Sequence, residues 1–250
     1  MLERTDAVWT STLIRALAAC GIQERNARQT INRVSERGII ASEKVGAKAR
    51  WRVTDEGRKL IERGQMRAAR FNGIQENWDG QWLVVICSVP EKEREKRRRF
   101  RGRMELNGFG FFSPSVVVST HLEKETVVNE ILGDLGLVEG ALVLKGRPGE
   151  IVGNETLLNR AWDIESLGGN YAFFIDMLKD TDAASDEEKF AAFIELERAW
   201  FYVAFTDPEL PVDLLPSDWP CTKAKQMYGM KYAEWRPAAL RWFDRIDGEA

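Results

Sequence analysis

Two short stretches of helical apolar period, each ended by a glycine, constrain the N-terminal part of this chain more than any other feature. In residues 9–20 (WTSTLIRALAAC), Leu13 and Leu17, like Ile14 and Ala18, stand four apart, with Thr10 placed to cap the helix and Gly21 to end it. Residues 23–37 repeat the period through Ala27, Ile31 and Val34, and Gly38 closes the second helix. Two short helices turned by Gly21-Ile22 predict a helix-turn-helix. IIAS (39–42), a polar loop EKVGAKA (43–49) and RWRV (50–53) then predict a hairpin, the wing. Residues 55–70 return to helix, with Leu60, Ile61 and Met66 as its apolar positions, and FNGIQENWDG (71–80) has the Gly/Asn content of a linker.

A different rhythm follows. Strands are expected at 81–89, 109–112, 115–119 and 141–145, with helices at 91–107 and 123–135, and this βαββαβ order is that of a ferredoxin-like sandwich. From about 153 the chain reads as helical, at 155–160, 163–178, 187–205 and 222–245. The stretch DPELPVDLLPSDWP (207–220) interrupts these helices as an irregular loop packed by Leu210, Leu214, Leu215 and Trp219. The expected fold is α+β in three parts: a winged helix-turn-helix (1–70), a ferredoxin-like dimerisation module (71–150) and a helical C-terminal effector or structural domain (151–250).

The formal net charge of -3 hides a gradient. Residues 1–70 carry 15 Lys/Arg against 8 Asp/Glu, residues 71–150 carry 11 against 12, and residues 151–250 carry 10 against 19. The first part attracts phosphate and the last repels it, which suits a modular nucleic-acid binder. No apolar run approaches the ~20 residues that span a bilayer, and the charged start MLERTDAVWT does not read as a signal peptide, so the expected location is the cytoplasm. Cys20, Cys87 and Cys221 are odd in number and far apart, offering neither a disulfide framework nor metal-ligand spacing. No metal or cofactor is expected.

Opposite the apolar face of the second helix stand Arg25, Gln29, Asn32, Arg33 and Glu36. Arginine can fork onto guanine, and Gln or Asn onto adenine, in the major groove, while Arg28 and Thr30 are placed to meet phosphates. Lys44, Lys48, Arg50 and Arg52 on the hairpin would meet a second stretch of backbone. A polar outer face alone is ordinary solvation; the glycine-turned pair, the basic hairpin and the positive segment together favour double-stranded DNA.

At this point the chain resembles the PaaX-like family of phenylacetic-acid catabolism repressors. The resemblance runs through ARQTINRVSERGII (27–40), GRKL (57–60), NWDGQWLVVICSVPEKEREKRR (77–98) and NGFGFFSPSVVVS (107–119). It continues through RAWDIESL (160–167) and FTDPELPVDLLPSDWP (205–220). It implies a dimeric repressor of a catabolic operon, released from its DNA operator by phenylacetyl-coenzyme A or a related aromatic acyl-coenzyme A, and the effector is expected to bind between the second and third parts. Two departures stand out. Relatives carry a further helix ahead of WTSTLIRAL, where this chain offers only Leu2 and Val8, and a basic residue after the wing glycine, where Ala47 follows Gly46.

The run KEREKRRRFRGR (92–103) holds eight Lys/Arg, but its interleaved glutamates and the Phe100/Met104 pair make a solvated helix on a sheet the simpler reading. The sharper one gives Arg97 and Arg101, one turn apart, to coenzyme A phosphates. CRISPR-associated nucleases of the same layout keep a metal-binding Asp at the end of the first strand, whereas this strand ends Cys87-Ser88-Val89-Pro90, so the chain reads as a non-enzyme. His121 reads as a strand-end residue, and DTDAASDEE (180–188) as a solvated loop. Two alternatives remain: a catalytically inactive or unknown nucleic-acid-processing protein related to those nucleases, and an acyl-coenzyme A sensor that does not bind DNA.

Overall fold

Both N-terminal helices end where glycine lets the backbone turn left-handed. The computed structural model describes residues 7–250, so Leu2 lies outside the described residues. Helix α1 (Thr10–Ala19) is followed by Gly21 at φ 76° and helix α2 (Glu24–Glu36) by Gly38 at φ 72°. Each glycine amide and the next one turn back to the last helical carbonyls: Gly21 to Ala18 and Ile22 to Leu17, Gly38 to Ser35 and Ile39 to Val34. These bonds satisfy carbonyls that a helix end otherwise leaves open.

Thr10 is not the cap expected of it. Its hydroxyl donates to the Ala49 carbonyl at 2.9 Å and accepts from the Trp51 indole at 2.9 Å, tying α1 to the hairpin. Nor is the buried face of α1 the Leu13/Leu17 stripe; Thr12 and Ala16 are buried, and both leucines are half-buried.

Strand β1 (Val8–Trp9) adds to the hairpin of β2 (Ile40–Val45) and β3 (Lys48–Val53) in a sheet of order β1-β3-β2. The expected loop 43–49 is mostly strand, paired out to Val45↔Lys48, because Gly46 at φ 61° turns the chain in two residues. Polarity there reflects exposure, not irregular backbone. Helix α3 (Asp55–Arg70) also departs from its pattern: Leu60 and Met66 are 54% and 51% exposed, and its buried residue is Gly57. A Cβ on Gly57 would stand 2.1 Å from the Ile39 carbonyl oxygen, so only glycine lets α3 lie this close to β2.

The middle of the chain folds as β4 (Trp82–Cys87), α4 (Arg94–Leu106), β5 (Gly110–Ser113), β6 (Val116–Ser119), α5 (Glu125–Leu135) and β7 (Ala141–Gly146). Its antiparallel sheet runs β5-β6-β4-β7, the ferredoxin-like order. Alternation along β4 sends Leu83 and Val85 toward Phe100 and Met104 of α4 and Ile131 of α5, all fully buried. The opposite parity carries Trp82, whose indole donates to Asn154 Oδ1 at 2.9 Å on helix α6 (Asn154–Ala161) and whose ring meets Trp78 and Trp162.

Residues 71–80 are not a linker. Phe71 and Gly73 are buried, the Asn72 amide donates to Glu209 Oε2 at 2.8 Å, and Gln75 exchanges backbone hydrogen bonds with Leu210 and Val212. Glycine and asparagine here serve packing and a turn.

The chain ends in α7 (Ile164–Asp180), α8 (Asp186–Thr206) and α9 (Cys221–Gly248). Contacts gather the molecule into two units: Met1–Arg70 with Phe174–Phe201 and Lys223–Ala250, and Phe71–Phe173 with Tyr202–Thr222. In the first unit Asp247, near the end of α9, accepts from the Trp9 amide at 3.4 Å and the Thr12 hydroxyl at 2.9 Å, while Glu249 pairs with Arg15 at 2.8 Å. A carboxylate 235 residues away in sequence therefore takes up hydrogen-bond donors at the start of α1. Among the described residues no helix is long and apolar enough to cross a membrane.

Candidate nucleic-acid interface and anion pocket

Burial of Ala27 and Ile31 fixes the roll of α2, and with it which side chains face water. Arg25, Gln29, Asn32 and Arg33 are exposed, and among the described residues none of their four side chains has a hydrogen-bond or ion-pair partner. Arg28 is different: both its Nε and Nη2 donate to Glu24 Oε1, at 3.0 and 2.8 Å. Thr30 is half-buried and lines an apolar cavity on the side of α2 that faces the hairpin. The structure thus brings four of the six expected helix residues onto one open face and turns the other two to different tasks.

The hairpin cations do not share one face. The register Val45↔Lys48, Glu43↔Arg50 and Ala41↔Arg52 puts Lys48, Arg50 and Arg52 on one side, whereas Lys44, opposite Ala49, is on the other. Lys44 and Arg52 are exposed and, among the described residues, unpaired. Lys48 and Arg50 lie over the Trp9 ring, 5.6 and 4.8 Å from its centre, and Lys48 also donates to the Ala250 backbone oxygen at 2.5 Å. Sequence reasoning could not see this, because the partner ring sits on a two-residue strand too short to show a period.

In the second unit a pocket of about 640 Å³ opens between α4 and the β5–β6 hairpin. Arg94, Arg97, Arg98 and Arg101 stand on its walls with Cys87, Phe100 and Phe111, so both arginines singled out in the basic run face one cavity. Each is already paired: Arg97 with Glu91 at 2.6 Å and Arg101 with Glu105 at 2.8 Å, the latter guanidinium also lying 4.5 Å from the centre of the Phe111 ring. Exposed pairs of this kind are worth only about 0–1 kcal/mol, so a multiply charged anion can displace them.

Burial pushes the thiols of Cys20 and Cys87 above the ordinary cysteine range, away from the thiolate that a nucleophile needs. His121 has both ring nitrogens occupied, Nδ1 3.0 Å from Glu123 Oε1 and Nε2 2.9 Å from the Glu209 carbonyl. In the acidic run, Glu188 accepts from the Ala184 and Ser185 amides and the Ser185 hydroxyl, which holds its carboxyl below the usual range, and Asp186 pairs with Arg241 at 3.1 Å. These carboxylates organise the start of α8.

Residues 75–157 match the PaaX protein central Cas2-like domain, residues 162–245 the PaaX-like protein C-terminal domain, and residues 2–57 the PaaX-like protein family. The chain is 25% identical over 249 residues to the transcriptional repressor PaaX of Escherichia coli, covering 95% of this chain and 77% of that one. Among solved structures, an uncharacterized protein from Mycobacterium tuberculosis shares the fold with a TM-score of 0.61 at 20% identity, over 94% of this chain and 90% of the other.

Proposed function

This chain belongs to the PaaX-like family, and on that premise we propose that it is a transcriptional repressor that reads double-stranded DNA with α2 and is released by an aromatic acyl-coenzyme A. The observation that carries the reading is the open face of α2, where Arg25, Gln29, Asn32 and Arg33 keep their donors and acceptors free of other described residues. Side chains so presented have the chemistry to exchange water for base edges without breaking a bond inside the protein. In this reading residues 1–70 form a winged helix-turn-helix, Lys44 and Arg52 give the readiest phosphate contacts, and Lys48 and Arg50 add charge close to Trp9. Residues 71–150 serve as the dimerisation module: Ile86, Leu142 and Leu144, 39%, 51% and 47% exposed, share the sheet face opposite the helices. Residues 151–250 contribute the effector and structural part, and no catalytic step is assigned to any residue.

Binding of the purified protein to its own upstream region, across salt concentrations and with or without phenylacetyl-coenzyme A, tests the proposal. The expected result is a saturable complex with two chains per site, weakened by salt and by the effector. Arg33→Ala should cost about 1–3 kcal/mol and relax the preference at one base pair, whereas Lys44→Ala should weaken binding to all sequences about equally and reduce the salt slope by about one. Binding that ignores both sequence and effector would refute the reading.

The pocket on α4 supports a place for the coenzyme's phosphates, with Arg97 and Arg101 released from Glu91 and Glu105 to hold them. Reversing both charges (Arg97→Glu with Arg101→Glu) should leave DNA affinity without effector unchanged and raise the effector concentration for half-release at least tenfold. An unchanged half-release concentration removes these two residues from the effector site.

A further inference from the structure

The first unit contains a cavity that the reading above does not use. It measures about 310 Å³ and is walled by Leu13 and Leu17 of α1, Ile31 and Val34 of α2, Trp51 and Val53 of β3, and Phe190, Ile194 and Phe243 of α8 and α9. Its walls are mostly hydrocarbon and aromatic ring, apart from Thr30, Cys20 and Arg52. Burial favours the neutral Cys20 thiol, so no anion is fixed at this wall. Alternation along β3 turns Trp51 and Val53 to the cavity; Arg52 borders it too, but its parity belongs to the other face of the hairpin and it is exposed to water, so it marks the rim and not the apolar interior.

From these walls we infer that the cavity is a binding site for a flat, uncharged aryl group. Its size lies at the lower end of small-molecule pockets, about 300–1,000 Å³, and an apolar cavity of roughly 150 Å³ already takes up benzene. Three aromatic walls, Trp51, Phe190 and Phe243, offer edge and face contacts to a ring. A charged group would enter without a partner, so the ligand's phosphates or carboxylate stay outside and only its ring enters. The proposal rests on the aromatic-effector reading above, which it deepens by naming a seat for the ring within the first unit, and it does not depend on the α4 pocket.

The seat has a consequence for DNA. Ile31 and Val34 come from the helix that presents Arg33 and Asn32, and Trp51 and Val53 from the strand that carries Arg52. A ring wedged between them acts on the spacing of the two elements that must fit one operator together. If the wedged spacing fits the operator less well, DNA and ring weaken each other by the same factor.

Ligand-observed NMR and calorimetry on the full chain test this with three probes: phenylacetyl-coenzyme A, acetyl-coenzyme A as the same anion without a ring, and benzyl alcohol as a ring without an anion. Wild-type protein should bind the two ring-bearing probes saturably, with contacts from the benzyl ring to the Trp51 indole and the Phe243 ring. Val34→Phe, which fills the cavity, should weaken both ring-bearing probes at least tenfold and change acetyl-coenzyme A less than twofold. Leu13→Phe fills it from α1 and serves if Val34→Phe does not fold, and the ring contacts in wild-type protein need no variant. Absence of benzyl alcohol binding, or ring-probe affinities unchanged in a folded filled variant, overturns the inference. Phenylacetyl-coenzyme A that binds and releases DNA while benzyl alcohol does not bind would sink the ring's seat and keep the repressor reading; ring binding by a protein that never binds its upstream DNA would do the reverse.

Discussion

Gly73→Ala should lower stability by about 2–5 kcal/mol, more than any surface substitution and without touching the DNA-reading face. Two costs combine. Gly73 sits at φ 75°, a conformation that costs an L-residue with a Cβ roughly 1–2 kcal/mol. The added carbon would also stand 2.2 Å from Cys221 Sγ and 2.9 Å from the Tyr171 hydroxyl, an overlap of the kind that costs about 1–3 kcal/mol when a packed core has to shift. Little there can move. Cys221 is 1% exposed, its thiol lies 3.6 Å from the Asn72 carbonyl, and the Tyr171 hydroxyl donates to Asp207 Oδ2 at 2.6 Å. Gly136→Ala separates the two costs, because Gly136 has φ 62° but nothing within 4 Å of the would-be Cβ. Urea unfolding followed by near-UV circular dichroism should show Gly136→Ala losing about 1–2 kcal/mol and Gly73→Ala clearly more. Equal losses would mean that the packing around Gly73 yields, and would refute the account of a rigid cluster.

The same residues show where local sequence patterns stop carrying information. FNGIQENWDG has a linker's composition, yet Phe71, Gly73 and Gln75 are held by partners near 171, 210 and 221. Period and turn chemistry describe a residue's neighbours in sequence and say nothing about a partner more than a hundred residues away. The start of α1 repeats the lesson: Thr10 looks like a cap, but Asp247 lies beside the donors there and Thr10 serves the hairpin. What was legible depended on short-range physics. Gly21 and Gly38 ended their helices through positive φ, and Phe100 and Met104 anchored α4 to its sheet at i,i+4 spacing.

The candidate interface divides along the same line. Roll of α2 follows from Ala27 and Ile31 alone, so Arg25, Gln29, Asn32 and Arg33 could be named in advance as exposed. The state of the hairpin cations could not, since Lys48 and Arg50 are drawn over Trp9 by β1, a strand of two residues. The aromatic seat was hidden for a related reason. Its walls come from seven elements between Val8 and Phe243, and no pattern in one element marks a cavity that all of them border.

Stability should fall as pH rises from about 4 to 6, and Asp207 is the cause. Burial pushes its carboxyl up from 3.8 to about 6, with the Glu209 carboxylate adding to the rise. The Tyr171 hydroxyl, the Glu209 amide and Lys124 oppose it, because each favours the ionised form. Below the lower value the group is protonated whether the chain is folded or not. Between the two values the unfolded chain gives up the proton and the fold retains it, so each step up in pH favours unfolding, by roughly 3 kcal/mol over the whole window. Asp79, Asp163 and Glu188 act with the opposite sign: hydrogen bonds hold their carboxyls low, so their contribution is present above the ordinary carboxylate range and lost as pH falls further. The two effects occupy different limbs of one profile. Asp207→Asn keeps an oxygen to accept from the Glu209 amide and offers an amide donor to Tyr171, so it should fold, flatten the limb between pH 4 and 6 and raise the melting temperature at pH 7. Tyr171→Phe should do the reverse, removing the hydroxyl that donates to the buried carboxylate and so extending that limb to higher pH. A thermal-unfolding series from pH 3 to 8 on the three proteins decides the matter, and a limb as steep in Asp207→Asn as in the wild type would assign the effect to another group.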